Sequence, residues 1–291
     1  MSRSWDIKLA FDDQVMRTYD FARRAQFILG RYAKKFDTAR NIELRNKHAG
    51  ERCFLVGNGP SIKQQDLSLL EGHTVLACNY FFHHPDIEKI SPKYYAIYDG
   101  KLETGEWPVS MLDEVLERCP DVTFMLNGHW RRNPKINRIA ERAPVYWVIA
   151  NQMTHMNIRG PIDLTRGIYG FNVMKVALFS ATYMGFSEIC LLGIDNNGTF
   201  LDALELSSHF YDAEAEKKDL ERDLWQVAQG FRGWAGIEKR FRGSQHHIVN
   251  MTKGGLLYWF ERADYETYMA TLNAGSASPA PPTGRADGVP A

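Results

Sequence analysis

Seven short apolar runs are the feature that most limits what this chain can fold into. They are CFLVG at 53–57, TVLACN at 74–79, YYAIYD at 94–99, VTFML at 122–126, VYWVIA at 145–150, EICLLGID at 188–195 and HHIVN at 246–250. Each has strand length and is rich in β-branched or aromatic residues. Most lack the alternation of a half-exposed strand, so they read as strands buried on both faces. Helical patterns lie between them, clearest at 172–184, 213–229 and 256–272. Strands alternating with helices predict an α/β fold, a mostly parallel sheet with helices on both faces.

The flanks differ from this central region, which runs over about 51–274. Residues 1–50 are basic and helical in pattern, and form an N-terminal extension. Val15, Tyr19, Ala22, Ala25, Leu29 and Tyr32 recur at spacings of three or four, and Arg17, Arg24 and Arg31 recur every seven. Such a helix fits peripheral contact with an anionic inner-membrane surface, or packing on the domain or on a partner with a solvated charged side. The shallow middle of the stripe at Ala22 and Ala25 favours packing. The last 17 residues, from Gly275, mix Pro, Gly, Ala and Ser without apolar periodicity, as a disordered tail does. Lys plus Arg and Asp plus Glu both number 35, and that balance excludes a typical nucleic-acid binder. The opening residues lack a signal-peptide core, and four dispersed cysteines make neither a disulfide framework nor a zinc pattern. A cytoplasmic location is therefore expected.

The first strand runs into Gly57-Asn58-Gly59-Pro60-Ser61. Glycines permit a tight turn whose N–H groups can approach a phosphate, and Ser61 can cap a helix. A plain strand-to-helix turn is the alternative. Ile62 stands where a dinucleotide fingerprint needs Gly or Ala, and the second strand ends in Cys78-Asn79 rather than Asp or Glu. No G-x-x-x-x-G-K-[ST], G-x-S-x-G or H-E-x-x-H occurs. NAD, FAD and Walker-type ATP fit poorly. The adjacent pairs His83-His84 and His246-His247 point their rings apart, and nothing in the sequence calls for a metal. Ligands of such sheets bind beyond the carboxyl ends of the strands, where the 57–61 turn, Asn79, Asp99 and Asp195 end together. A polar loop, Ser207-Ser208-His209-Phe210-Tyr211-Asp212, follows downstream.

GNGPS after the first strand, Cys78-Asn79-Tyr80-Phe81 after the second, and ALFSATYMGFSEICLLGID at 177–195 together carry a resemblance. The chain resembles bacterial sialyltransferases of the Campylobacter lipooligosaccharide type and related capsule, lipopolysaccharide and flagellin-modifying glycosyltransferases over roughly residues 52–260. The resemblance implies a single Rossmann-like domain with a small lid, here about 196–245, a CMP-activated sugar donor and no metal or other cofactor. It also implies that Asn58, Gly59 and Asn79 contact the cytidine nucleotide and that Asn172 lies near the phosphate or sugar. Asp99 replaces the family's Asn after the third strand. Asn196 and Asn197 replace two tyrosines that hold the leaving phosphate.

The expectation is a metal-independent glycosyltransferase of cell-surface polysaccharide or glycoconjugate assembly, with a nonulosonic-acid or Kdo-type donor and a glycan or glycolipid acceptor. His209 is the expected base, since an imidazole can accept a proton near neutral pH. Gly57, Pro60, Ser61, Asp195, Asn197 and Tyr211 complete the expected nucleotide and substrate site. The loop 163–170 offers Thr165, Arg166 and Tyr169 to the donor. Two alternatives stay open. A pterin pyrophosphokinase-like enzyme shares the G-x-G-P-S turn and would hold Mg²⁺ on Asp99 and Asp195. A non-catalytic nucleotide-binding or scaffold protein would recruit surface-glycan enzymes through the basic helix.

Overall fold

The computed structural model describes residues 37–151, 162–169, 172–211 and 220–274, together with scattered positions between 7 and 22. The expectations for Tyr19, for residues 23–36 and 212–219, for the side chain of Tyr169 and for the tail lie outside the described residues. Ten strands are described: β1 (Arg52–Val56), β2 (Val75–Cys78), β3 (Tyr94–Ile97), β4 (Thr123–Asn127), β5 (Val145–Val148), β6 (Ala150–Asn151), β7 (Ile168–Tyr169), β8 (Glu188–Leu192), β9 (His247–Asn250) and β10 (Glu261–Arg262). Eight of them form one sheet in the order β10-β9-β8-β1-β2-β3-β4-β5. Every pair in it is parallel. The remaining two, β6 and β7, pair with each other beyond the end of β5.

Both faces of the sheet are buried, which is why the strands read as continuous apolar runs. Phe54, Val56, Tyr95, Ile97, Phe124 and Leu126 point into one core. Cys53, Leu55, Tyr94, Ala96 and Met125 point into the other. The helix α1 (Met111–Arg118) covers the first face, and α2 (Val173–Tyr183) covers the second. Every residue of α2 from Met174 to Tyr183 is buried, because α4 (Leu220–Phe241) contributes Trp234, Ile237 and Phe241 to the same core. A short helix, α3 (Gly198–Ala203), precedes α4, and α5 (Tyr265–Asn273) packs Tyr265 and Met269 into the first core.

Three expectations change. The helix expected at 256–272 is a loop, then β10, and only then α5, whose start is fixed by the Asp264 carboxylate accepting the Thr267 N–H at 2.9 Å. The loop before it is held by Asn250, which donates to the Leu257 carbonyl, and by Arg262, which donates to the Thr252 and Gly254 carbonyls. The segment expected as a lid divides, since the second half of α4 belongs to the core. At the N-terminus the 3₁₀ turn Thr38–Leu44 is part of the packed body, where Asn41 donates to the Trp147 and Leu164 carbonyls. The described positions between 7 and 22 are helical, and their apolar side chains are exposed in the single chain. All four cysteines are buried and free.

One buried charge stands out. Lys175, on α2, is 3 % exposed and donates from Nζ to the Gly230 carbonyl of α4 at 2.9 Å, with its ammonium 5.1 Å from the Trp234 ring centroid. Gly233 makes room for it, since a Cβ there would meet Nζ at 2.8 Å. Burial pushes the Lys175 pKa down to about 7. In the unfolded chain a lysine titrates near 10.4, so between these values the unfolded state binds more protons and stability rises with pH. Below about pH 7 the folded chain carries a buried ammonium and the penalty is complete. Lys175→Met is expected to be more stable than the wild type by roughly 2–4 kcal/mol at pH 6, with the difference shrinking towards pH 10. Urea unfolding across that range checks it, and a pH-independent difference would remove the buried-charge argument.

Candidate functional site

The order of the sheet fixes where a ligand can sit. The chain winds from β1 outward to β5, then returns to add β8, β9 and β10 on the opposite side of β1. The reversal lies between β1 and β8, and the crevice beyond their carboxyl ends is the binding position of open α/β sheets. The segments there are Gly57–Ser61 after β1, Asn79 after β2 and Gly193–Asn197 after β8.

The glycine turn performs a different task from the phosphate cradle its composition suggests. The Gly57 N–H donates to the Leu192 carbonyl at 2.8 Å, and the Gly59 N–H to the Gly193 carbonyl at 2.9 Å. Ser61 donates to Asp195 twice, from its N–H at 3.2 Å and from Oγ at 2.7 Å. Pro60 has no N–H, so three of the turn's four donors are engaged within the protein. The glycines are needed because the two backbones touch. A Cβ on Gly57 would stand 2.5 Å from the Gly193 carbonyl oxygen, and one on Gly59 would collide with the Asp195 carboxylate. Burial raises the Asp195 pKa, while the two Ser61 hydrogen bonds pull it back down. Asp195 is the clamp of the turn. Its own backbone is held by Leu256 N–H donating to its carbonyl at 2.7 Å, and the neighbouring Ile194 N–H donates to Thr252 Oγ1.

What the crevice offers is amide side chains. Asn58 Nδ2 donates to the Cys78 carbonyl at 3.1 Å, which leaves Asn58 Oδ1 buried without a partner. Asn79 Oδ1, Asn196 Nδ2 and Asn197 Oδ1 are likewise buried and unpartnered. Asn79 and Asn196 both hold positive φ, 47° and 56°, a region Asn tolerates better than most residues. Other unpartnered atoms, such as Asn41 Oδ1, Gln65 Oε1 and Ser180 Oγ, are scattered through the fold, whereas these four gather at the ends of three adjacent strands, where a ligand would supply their partners. Tyr95 fixes this rim, donating to the Asn79 carbonyl and accepting from the Phe82 N–H.

An aromatic wall closes one side. Tyr80 lies 5.3 Å from Tyr211, 4.8 Å from Trp107 in an edge contact, and stacks on His83 at 5.4 Å. The wall is joined to the turn by the Phe210 N–H, which donates to the Asn58 carbonyl at 3.1 Å. His209 sits next to this bond, half-buried, with Nδ1 2.9 Å from Ser208 Oγ and its ring 5.0 Å from Tyr211.

Of the residues singled out in the sequence, Gly57, Asn58, Gly59, Pro60, Ser61, Asn79, Asp195, Asn197, His209 and Tyr211 come together here. Asn172 is exposed at the start of α2, and its Oδ1 caps the Lys175 N–H at 3.0 Å. That end of the helix overlies β2, where Met174 Sδ is 3.4 Å from Cys78 Sγ. Asp99 lies one strand further, accepting from the Lys101 N–H. Thr165 and Arg166 belong elsewhere. Thr165 bonds Asp163 and its carbonyl accepts from Thr38, while Arg166 pairs with Asp163. The wall of Tyr80, His83 and Trp107 and the part of Asn196 were missed. Only the aromatic after Asn79 hinted at it, since the wall needs segments far apart in sequence. Among the described residues, no three His, Cys, Asp or Glu side chains gather as a metal site would require.

No protein-family model matches the sequence, and no curated protein matches it. Solved structures that resemble the fold include the MAf glycosyltransferase of Magnetospirillum magneticum AMB-1, at 14 % identity and a TM-score of 0.47. That match covers 79 % of this chain and 37 % of the other, so this chain spans little more than a third of that protein. The sialyltransferase CstII of Campylobacter jejuni, in complex with the substrate analogue cytidine-5'-monophosphate, matches at 16 % identity and a TM-score of 0.45, over 74 % of this chain and 85 % of that one. A complex of CST-II with a trisaccharide acceptor and CMP matches at 17 % identity and a TM-score of 0.41, over 72 % and 85 %.

Gly59→Ala tests the clamp. The added methyl group must displace the Asp195 carboxylate from Ser61, and overpacking of this kind costs about 1–3 kcal/mol. A fall of several degrees in the unfolding temperature is expected. Unchanged stability would mean that the turn and Asp195 are not in contact.

Proposed function

We propose that the chain is a glycosyltransferase that uses a CMP-activated sugar, of the nonulosonic-acid or Kdo type, in the assembly of a surface polysaccharide or glycoconjugate. The observation that supports this most is the set of unpartnered amides on Asn58, Asn79, Asn196 and Asn197 at the β8-β1-β2 edge. Amides both donate and accept, as the hydroxyls of a ribose and the edge of a cytosine do. Three of the four N–H groups of the 57–61 turn are engaged, and in this reading the phosphate lies at the N-terminus of α2 beside Asn172, where helix N–H groups and the helix dipole favour an anion.

In this reading the acceptor hydroxyl oxygen attacks the anomeric carbon of the donor, the bond from that carbon to the phosphate oxygen breaks, and CMP leaves with the electron pair. His209 takes the hydroxyl proton, assisted by Ser208, which sets the position of the ring through Nδ1. The chemistry uses no resident cofactor. A pterin pyrophosphokinase-like reaction is disfavoured on geometry. Asp99 and Asp195 follow β3 and β8, three strand spacings apart, or roughly 14 Å. Asp195 is in addition closed on Ser61, so the two carboxylates do not share one Mg²⁺.

Isothermal titration with CMP, ATP and GTP, with and without Mg²⁺, tests the nucleotide class, and metal-free binding of CMP alone is expected. Asn79→Ala should weaken that binding by roughly 1–2 kcal/mol. His209→Ala should leave CMP affinity unchanged while CMP release from a CMP-nonulosonic acid slows roughly 10²–10⁴-fold. Turnover above about a tenth of wild type would exclude His209 as the base. Absence of binding by any nucleotide would favour the scaffold reading.

A further inference from the structure

A cavity of about 290 Å³ opens beyond the carboxyl ends of β9 and β10, on the side of β8 away from β1. The volume lies at the small end of ligand pockets. Its wall is tied in place. Arg262 donates to the Thr252 and Gly254 carbonyls, and Gly254 turns the loop back with a φ of 74°.

One buried acceptor on that wall is unused. Gln65 is 8 % exposed, its Nε2 donates to the Met251 carbonyl at 2.8 Å, and its Oε1 is buried without a partner. Backbone donors come from the start of α5. Asp264 takes the N–H groups of Thr267 and Tyr268, whereas those of Tyr265 and Glu266, which also line the cavity, have no partner among the described residues. The charges cancel. The lining carries Lys253 and Arg262 against Asp264 and Glu266, so it has no net charge with which to draw a phosphate. What it presents is donors and acceptors interleaved beside the apolar surface of Met251 and Ala263. Hydroxyl groups, at once donor and acceptor, satisfy such a lining.

We propose that this cavity binds one neutral sugar ring, with one hydroxyl donating to Gln65 Oε1 and others accepting from the N–H groups of Tyr265 and Glu266. The cavity shares its walls with the clamp. Gln65 follows Ser61 by four residues, and the loop after β9 holds Ile194 and Asp195 through Thr252 and Leu256. β9 stands two strand spacings from β1, roughly 10 Å, so the ring sits beside the proposed nucleotide position and not in it. As the place of an acceptor residue the cavity rests on the transferase reading, whereas the binding itself does not.

Methyl NMR of the full chain labelled at methionine tests it, because two methionines report the two places separately. Met251 lines the cavity, and Met174 lies at the start of α2 with its Sδ 3.4 Å from Cys78 Sγ. The probes are glucose, galactose, rhamnose, N-acetylglucosamine and N-acetylgalactosamine, with inorganic phosphate and glucuronate as charged controls. At least one neutral sugar should shift Met251 at millimolar concentration, leave Met174 in place, and do so equally with CMP present. Gln65→Leu, its fold checked by circular dichroism, should weaken that sugar about tenfold. The proposal is overturned if no neutral sugar moves Met251, if phosphate moves it at lower concentration, or if a folded Gln65→Leu binds as tightly as wild type. CMP should move Met174. A CMP response at neither methionine would count against the nucleotide reading alone, and a CMP response at Met251 would overturn the sugar site.

Discussion

The backbone contact between Gly57 and Gly193 is the constraint on which the rest of the structure depends. It joins the first strand to the first strand of the returning half, at the place where the winding of the sheet reverses. With a side chain at Gly57 or Gly59 the two turns would be forced apart, and Asp195 would lose its grip on Ser61. The same clamp sets the ends of β9 and its loop, through Thr252 on Ile194 and Leu256 on Asp195. It also positions Asn58, whose carbonyl receives the loop that carries His209 and Tyr211.

This constraint separates two jobs that a glycine turn can hold. A phosphate cradle needs outward N–H groups, and here those groups close the junction between the halves. What the closed junction brings together is side chains, the four amides and the aromatic wall. Uncharged hydrogen-bonding groups beside stacked rings suit a nucleoside better than a bare phosphate.

Much of this was legible in the sequence. The seven apolar runs became seven strands of one sheet, because burial on both faces leaves a signal that needs no partner to be read. Asn58, Asn79, Asp195 and His209 were singled out by their place after strands or in the loop that follows. The use of the turn was not legible, since whether the Gly57 N–H faces a ligand or the Leu192 carbonyl depends on a residue 135 positions away. Nor was β10, whose two residues pair only because Arg262 and Asn250 hold the preceding loop. Thr165 and Arg166 stand apart from the crevice because their segment follows β5, at the edge of the sheet farthest from β8. Of the N-terminal stripe only Val15 and Ala22 are described, both exposed in the single chain, and periodicity alone cannot tell whether an apolar stripe faces its own domain or another molecule.

A crystal structure of the chain with CMP tests the central claim most directly. The account predicts a nucleotide across the carboxyl ends of β1 and β8, with its base or ribose on Asn58 and Asn79 and the Ser61–Asp195 bonds unbroken. A nucleotide seated elsewhere, such as in the cavity of about 290 Å³ between Gln65, Lys253 and Glu266, would contradict it. So would a phosphate bound by the N–H groups of Gly57, Gly59 and Ser61, since the clamp would then have to open.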